Sequence, residues 1–370
     1  MAIFSKTGKS IQTDICLHPG EVLKDELEER EIKQKDFASD IGIPVTQLNE
    51  IINGKRIVSS ELAIILEAAL GVSASFWTNL QANFDLAKAR SNEKVVTRKE
   101  SVQLWANIKQ YINVNYLRKV NELGDNIESN IEKVKLIFNI NDWNEIESLK
   151  ERSGIHYFRK SQLLNINQDN LTTWINYVKY CAQFEKVDKY NPKDIYSLLE
   201  VLKKIFLKED ILNNTKNALS NYGIKFFAKD KLEGVNVDGV TFWSFDNPVI
   251  VLTLRHNRID NFVFTLFHEL AHIHLHLIEN KDIVIIDNTE EDESSEKQIV
   301  EDEANEFASN NLIDKDLWKD FIRKTYRFDD ETIINFSQFV EVPPAIVRGR
   351  LCKEKLIPFG KKTNISYKLV

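Results

Sequence analysis

Between Pro19 and about Arg90, apolar positions recur at helical spacing in short bursts separated by glycine and polar breaks. Val22, Leu23 and Leu27 predict a first helix, with Pro19 near its N-terminus. A second runs from Lys33 to Ile41 and stops at Gly42. A third, Val45 to Ile52, ends at Asn53-Gly54, residues suited to a left-handed C-cap. Ser59-Ser60-Glu61 opens a fourth over Leu62 to Leu70, stopped by Gly71. Ser73 or Ser75 can cap a fifth that carries Phe76, Trp77, Leu80 and Phe84. Five helices in about 75 residues make a compact bundle.

Residues 1–16 show no periodicity and read as a loose arm; the polar, charged 91–105 reads as a linker. Further helices are predicted over Ile108 to Leu123, Ile127 to Phe138, Leu171 to Phe184 and Ile195 to Ile205. Trp143, Tyr157, Phe158, Trp174 and Tyr177 supply their core. The pattern changes at Tyr222-Gly223. Ile224 to Phe227, Gly239 to Trp243 and Val249 to Leu252 read as strands, the last two joined by Asp246-Asn247-Pro248, which predicts a small antiparallel sheet. A helix from Asp260 to Leu277 follows, then an acidic run, Glu290 to Glu296, that reads as a solvated loop. Helices over Lys297 to Leu312 and Glu331 to Phe339, a break at Pro343-Pro344 and a helix to about Leu356 complete the chain. The expected fold is mainly α with a small α+β domain. Its parts are a bundle over 17–90, a helical linker or middle region over 91–215, the mixed domain over 216–350 and a tail over 351–370.

A hydrophobic content of 43% and charged content of 28% belong to a globular chain, and 12 Gly with 7 Pro suit a helical one. The longest apolar run, Leu62 to Leu66, is too short to cross a bilayer. Met1 to Lys6 does not lead into a secretory signal. Cys16, Cys181 and Cys352 form no CxxC pair, so neither a disulfide framework nor a thiolate metal site is expected. A reducing, cytoplasmic setting without a membrane partner follows. The net charge of −7 argues against indiscriminate nucleic-acid binding but not against a local DNA-reading surface.

The sharpest chemical signal is His268-Glu269-Leu270-Ala271-His272. Two histidines four apart on a helix project from one face, as two ligands of a tetrahedral zinc ion must. Glu269, about 100° round the helix, is placed to act as general base without ligating. An HExxH arises by chance in about 1% of chains this long. Phe264, Phe267, Ala271 and Leu275 make the helix a buried one, where imidazoles and a carboxylate are costly unless bound or paired. A third ligand is needed. On the helix Val300 to Ala308, Glu301 and Glu303 flank the apolar face from opposite sides, while Asp302 and Glu306 fall behind it. Asn305, one turn beyond Glu301, can orient a ligand, so Glu301 is preferred and Glu303 is the fallback. His276 shares the His272 face a turn on and reads as a supporting residue; His274 points away. His256 and Arg258 could line a cleft.

Phe264 to His272, ending Leu275-His276, and Glu301 to Ala308 together resemble the ImmA/IrrE family of metallopeptidases, over about residues 220–350. The resemblance implies a zincin-like domain in which His268, His272 and Glu301 bind Zn2+ and Glu269 is the catalytic base. Asn311-Leu312-Ile313-Asp314 departs from the family's usual Leu-Leu-Met-Pro.

In the bundle, Gly42-Ile43-Pro44 is placed as the turn of a helix-turn-helix, with Val45 to Ile52 as its reading helix. Thr46, Gln47 and Asn49 are candidate base readers, and Gln34, Lys55 and Arg56 candidate phosphate contacts. Against this, residues 18–90 hold 8 basic and 12 acidic side chains, so a single module should grip DNA weakly. His18 to Leu23, Asn53 to Arg56 and Phe76 to Leu86 resemble XRE-type helix-turn-helix domains, particularly HigA-like antitoxins. That implies operator binding as a homodimer. Three readings follow. One is a DNA-binding regulator fused to a zinc peptidase that cleaves a repressor or partner protein. Another is a HigA-like antitoxin or autoregulator with a cognate toxin, whose zinc domain only senses or binds. The third is a protein-binding module without metal. Glu269 favours the first, since a sensor needs no general base.

Overall fold

A computed structural model describes residues 3–4, 10–11, 17–148, 167–229, 237–253, 257–288 and 295–369. Expectations for Cys16, Tyr157, Phe158, His256, the acidic run 290–294 and most of the N-terminal arm lie outside these residues. The chain forms two compact units, residues 1–104 and 105–370.

In the first unit a short antiparallel pair, β1 (Ile3–Phe4) and β2 (Ser10–Ile11), precedes α1 (Pro19–Glu29), α2 (Gln34–Asp40), α3 (Val45–Ile52), α4 (Ser60–Leu70) and α5 (Ala74–Arg90). Side chains cap three of these helices. His18 Nδ1 accepts the Gly20 N–H at 2.9 Å, Ser59 Oγ that of Leu62 at 3.2 Å, and Ser73 Oγ that of Phe76 at 3.3 Å. Leu23, Leu27, Phe37, Leu48, Ile51, Leu66 and Trp77 are buried in one core. A β-carbon on Gly20 would collide with the Ile51 carbonyl, so α1 and α3 meet backbone to backbone. The helical linker or middle region expected from 91 begins with α6 (Glu93–Ile108). Asn92 Oδ1 accepts the Lys94 N–H at 3.0 Å, a local cap inside a stretch whose charge suggested a spacer.

The second unit holds α7 (Val114–Lys119), α8 (Ile127–Phe138), α9 (Gln168–Phe184), α10 (Ile195–Ile205), α11 (Ile211–Asn221), α12 (Ile259–Ala271), α13 (Ser295–Leu312), α14 (Lys315–Lys324), α15 (Asp330–Phe339) and α16 (Pro344–Lys353). The single helix expected over 108–123 is broken. Asn113 accepts the Tyr116 N–H at 2.9 Å to start α7, and its own amide bonds Asn170 at 2.7 Å. Helices α11 and α14 were not anticipated.

The sheet consists of β3 (Lys225–Lys229), β4 (Val237–Ser244), β5 (Asn247–Thr253) and β6 (Ile285–Asn288), in the order β3-β5-β4-β6. It is mixed, not antiparallel: β3 runs parallel to β5, while β4 is antiparallel to both β5 and β6. The central β5 is buried from Pro248 to Thr253, and its unbroken apolar run Val249 to Leu252 fits a strand covered on both faces with a parallel neighbour. The fourth strand was missed.

Helix α12 packs on β4, β5 and α13, burying Phe262, Val263, Leu266, Phe267 and Leu270. Leu275, expected inside, is 44% exposed, because the helix passes into a π-helical turn over His272–Leu277. The expected tail is folded in. Ile365 and Leu369 join the main core, and the Ile259 N–H bonds the Tyr367 carbonyl at 2.8 Å. Among the described residues, no helix is long and apolar enough to cross a membrane.

Candidate metal centre and nucleic-acid interface

Helix α12 faces the sheet, so its buried flank carries both apolar residues and the HExxH side chains. His268 is 3% exposed, and Glu269 and His272 are fully buried. The imidazole planes stand nearly perpendicular at 86°, and the two Nε2 atoms are 2.9 Å apart. Glu301 reaches over from α13, with Oε2 3.1 Å from His268 Nε2 and Oε1 3.9 Å from His272 Nε2. One ligand atom from each of the three lies within 4.8 Å of the others.

The flanking residues hold these groups from behind. Asn305 Oδ1 lies 3.2 Å from His268 Nδ1, so each ring turns its Nε2 inward. His272 Nδ1 faces His276 Nδ1 at 3.0 Å, and His276 Nε2 meets Glu303 Oε2 at 3.1 Å. Glu303 therefore supports His276 and stands outside the three-residue group. His274 packs instead between the rings of Tyr196 and Phe307, and burial lowers its pKa. Arg258 is not at this centre. Its guanidinium pairs with Asp260 at 2.7 Å and lies over the Tyr367 ring.

Glu269 is set apart from the three ligand candidates. Thr241 on β4 donates its hydroxyl to Oε2, whereas Oε1 is buried with no hydrogen-bond partner among the described residues. Burial, then the charge of Asp287, pushes the Glu269 pKa up. For His268, burial alone would lower the pKa. The Glu301 hydrogen bond and the charges of Asp287, Glu269 and Glu301 outweigh it and raise it to about 9. Two imidazoles among three carboxylates make a pocket that favours a cation. Two nitrogens and an oxygen suit zinc, whose tetrahedral ligands stand about 3.3 Å apart at Zn–N and Zn–O distances near 2.0 Å. The residues present thus fit that ion.

In the bundle, Pro44 ends the turn and starts α3, and Gly42 takes the left-handed φ of 70° that the turn requires. Thr46, Asn49, Lys55 and Arg56 are exposed, and Gln34 and Gln47 half-buried. Arg56 pairs with Glu50 at 3.2 Å.

Residues 23–77 match the helix-turn-helix family, and residues 220–351 match the IrrE N-terminal-like domain. The chain joins an XRE-type helix-turn-helix domain to an ImmA/IrrE-type domain. The uncharacterized HTH-type transcriptional regulator YddM of Escherichia coli (strain K12) is 30% identical over 77 residues, covering 21% of this chain and 82% of that protein. Virulence-associated protein A of Dichelobacter nodosus is 40% identical over 73 residues, 19% of this chain and 72% of that one. A solved addiction module antidote protein of a HigA family from Coxiella burnetii is 30% identical and covers 23% of this chain and 92% of its own, with a TM-score of 0.22.

The ImmA/IrrE-type domain places three residues at the centre that sequence reasoning missed. Thr241 was the polar position within the otherwise apolar expected strand, Gly239 to Trp243. Gly239 is opposite the Glu269 carboxylate, where a β-carbon would collide with Oε1. Asp287 ends the β-branched run Ile283-Val284-Ile285-Ile286, a strand signal that was there to be read. The departure at Asn311 to Asp314 has a local function. Asp314 Oδ1 caps α14 by accepting the N–H groups of Asp316 and Leu317 at 2.9 and 3.0 Å.

Proposed function

We propose that this chain is a DNA-binding regulator whose ImmA/IrrE-type domain is a zinc-dependent peptidase acting on a repressor or other partner protein. The observation that carries the reading is the convergence of His268, His272 and Glu301 beside a buried Glu269, one of whose oxygens has no partner among the described residues. His268, His272 and Glu301 would hold the ion. Zinc, when bound, polarises a carbonyl and acidifies water. Glu269 does the proton work: Thr241 holds Oε2, which leaves Oε1 to take a proton from water and return it to the leaving amine. Burial makes the Glu269 carboxylate a stronger base than an exposed one.

For the helix-turn-helix domain, the family match and the regulator YddM support operator binding. Helix α3 would present Thr46, Gln47 and Asn49 to base edges, with Gln34, Lys55 and Arg56 on phosphates and two copies on a two-fold site.

Zinc content and partner cleavage test the peptidase reading together. Purified protein should hold one zinc ion per chain and cleave a co-purifying partner, and Glu269→Gln should keep the metal and lose the cleavage. Metal without cleavage of any co-purifying protein would leave a HigA-like autoregulator; absence of metal would leave neither.

A further inference from the structure

Strand β6 brings another carboxylate to the metal centre. Asp287 Oδ2 lies 3.8 Å from His268 Nε2, comparable to the 3.9 Å between His272 Nε2 and Glu301 Oε1. In the β-ladder Asp287 is paired with Gly239, the residue that makes room for Glu269, and the register shifts between Val237 and Gly239. That irregularity turns the strand locally and aims side chains off the regular pleat. The Asp287 side chain is 23% exposed, whereas the two ligand histidines are sealed in, so it occupies the open side of the cluster.

Three protein ligands leave a tetrahedral zinc ion one position for water or substrate, while four close it. We infer that Asp287 is a fourth, exchangeable protein donor that fills this position until an incoming substrate displaces it. The inference rests on the metal-binding reading above. Two features suit an exchangeable donor over a permanent one. Asp287 stands outside the trio whose ligand atoms all lie within 4.8 Å of one another, yet its Oδ2 is 3.8 Å from one of those atoms, His268 Nε2. Its strand also lies at one edge of the sheet and, among the described residues, pairs with β4 alone. Exchange moves no proton and no electron. A carboxylate oxygen leaves as a neutral oxygen donor arrives, and Glu269 remains where it was.

The test uses full-length protein loaded with Zn2+ for affinity and with Co2+ for spectroscopy. Competition with a chromophoric chelator should show Zn2+ held about ten- to a hundredfold more weakly by Asp287→Ala and by the isosteric Asp287→Asn. Azide should leave the visible bands of the wild-type Co2+ protein unchanged at concentrations that shift those of both variants. Equal azide response in wild type and variants, or unchanged Zn2+ affinity in Asp287→Asn, would overturn the inference and leave the three-ligand site standing. A wild-type chain that takes up neither ion would overturn the metal-binding reading itself.

Discussion

Gly239 lies against the carboxylate of Glu269, and no β-carbon fits between them. The absence of a side chain on β4 is thus what leaves room for a fully buried glutamate beside His268 and His272. Gly239→Ala should overpack the site and cost about 1–3 kcal/mol, read as a lower urea midpoint. If the clash is with Glu269, the cost should vanish once that side chain is shortened. The Gly239→Ala/Glu269→Ala double variant is then expected to be no less stable than Glu269→Ala alone. Equal costs in both backgrounds would mean that the alanine strains β4 itself.

Asn305 and Glu303 act on different histidines and should be separable. Asn305 turns His268 through its Nδ1, so Asn305→Ala is expected to weaken Zn2+ binding about ten- to a hundredfold in chelator competition. Glu303 reaches His272 only through His276, and its side chain is 56% exposed, so Glu303→Ala should lose less than Asn305→Ala. Loss of all binding in Glu303→Ala, with Glu301→Ala silent, would exchange the two glutamates' roles.

What could be read from the sequence here was what is local. Helices over 127–138 and 195–205 follow from apolar spacing alone, because each helix carries its own period. The i,i+4 relation of His268 to His272 and that of Glu301 to Asn305 are likewise contained in single helices. Asp287 and Thr241 are different. Whether either meets Glu269 depends on strand order, on the register that pairs Gly239 with Asp287 and on a bulge, and none of these has a period. That β3 is the parallel neighbour of β5 was hidden for the same reason.

His18 makes the stability of the helix-turn-helix domain depend on pH. Its Nδ1 accepts the Gly20 N–H, which only an unprotonated nitrogen can do, and its ring stands edge-on to Phe84. Burial lowers its pKa from 6.5, against the opposing charges of Glu21 and Asp85. The folded state therefore binds this proton less readily than the unfolded chain. Stability is complete above pH 6.5 and is lost as pH falls from there towards the depressed folded value. Urea midpoints of the full chain, followed by a probe in residues 17–90, should drop over that window. His18→Asn keeps a capping acceptor without a titrating ring and should flatten the drop.

On DNA, Lys55 and Gln47 should fail in different ways. Lys55 is exposed just after the α3 C-cap and is assigned to a phosphate. Lys55→Ala should weaken binding to all sequences alike and lower the slope of log affinity against log salt by about 1. Gln47, on the reading helix, should leave that slope intact. Gln47→Ala is expected to cost about 1–3 kcal/mol on the preferred site and to relax the preference at one base pair. Glu50 adds a third arm, because its carboxylate is 3.2 Å from Arg56 and competes with phosphate for it. Glu50→Gln should therefore bind more tightly than wild type, most visibly at low salt, where charge is least screened. Anisotropy titrations on a duplex selected from a random pool by the protein, at several salt concentrations, read all three. A binding curve insensitive to salt, or a pool from which no sequence emerges, would mean that α3 does not read DNA.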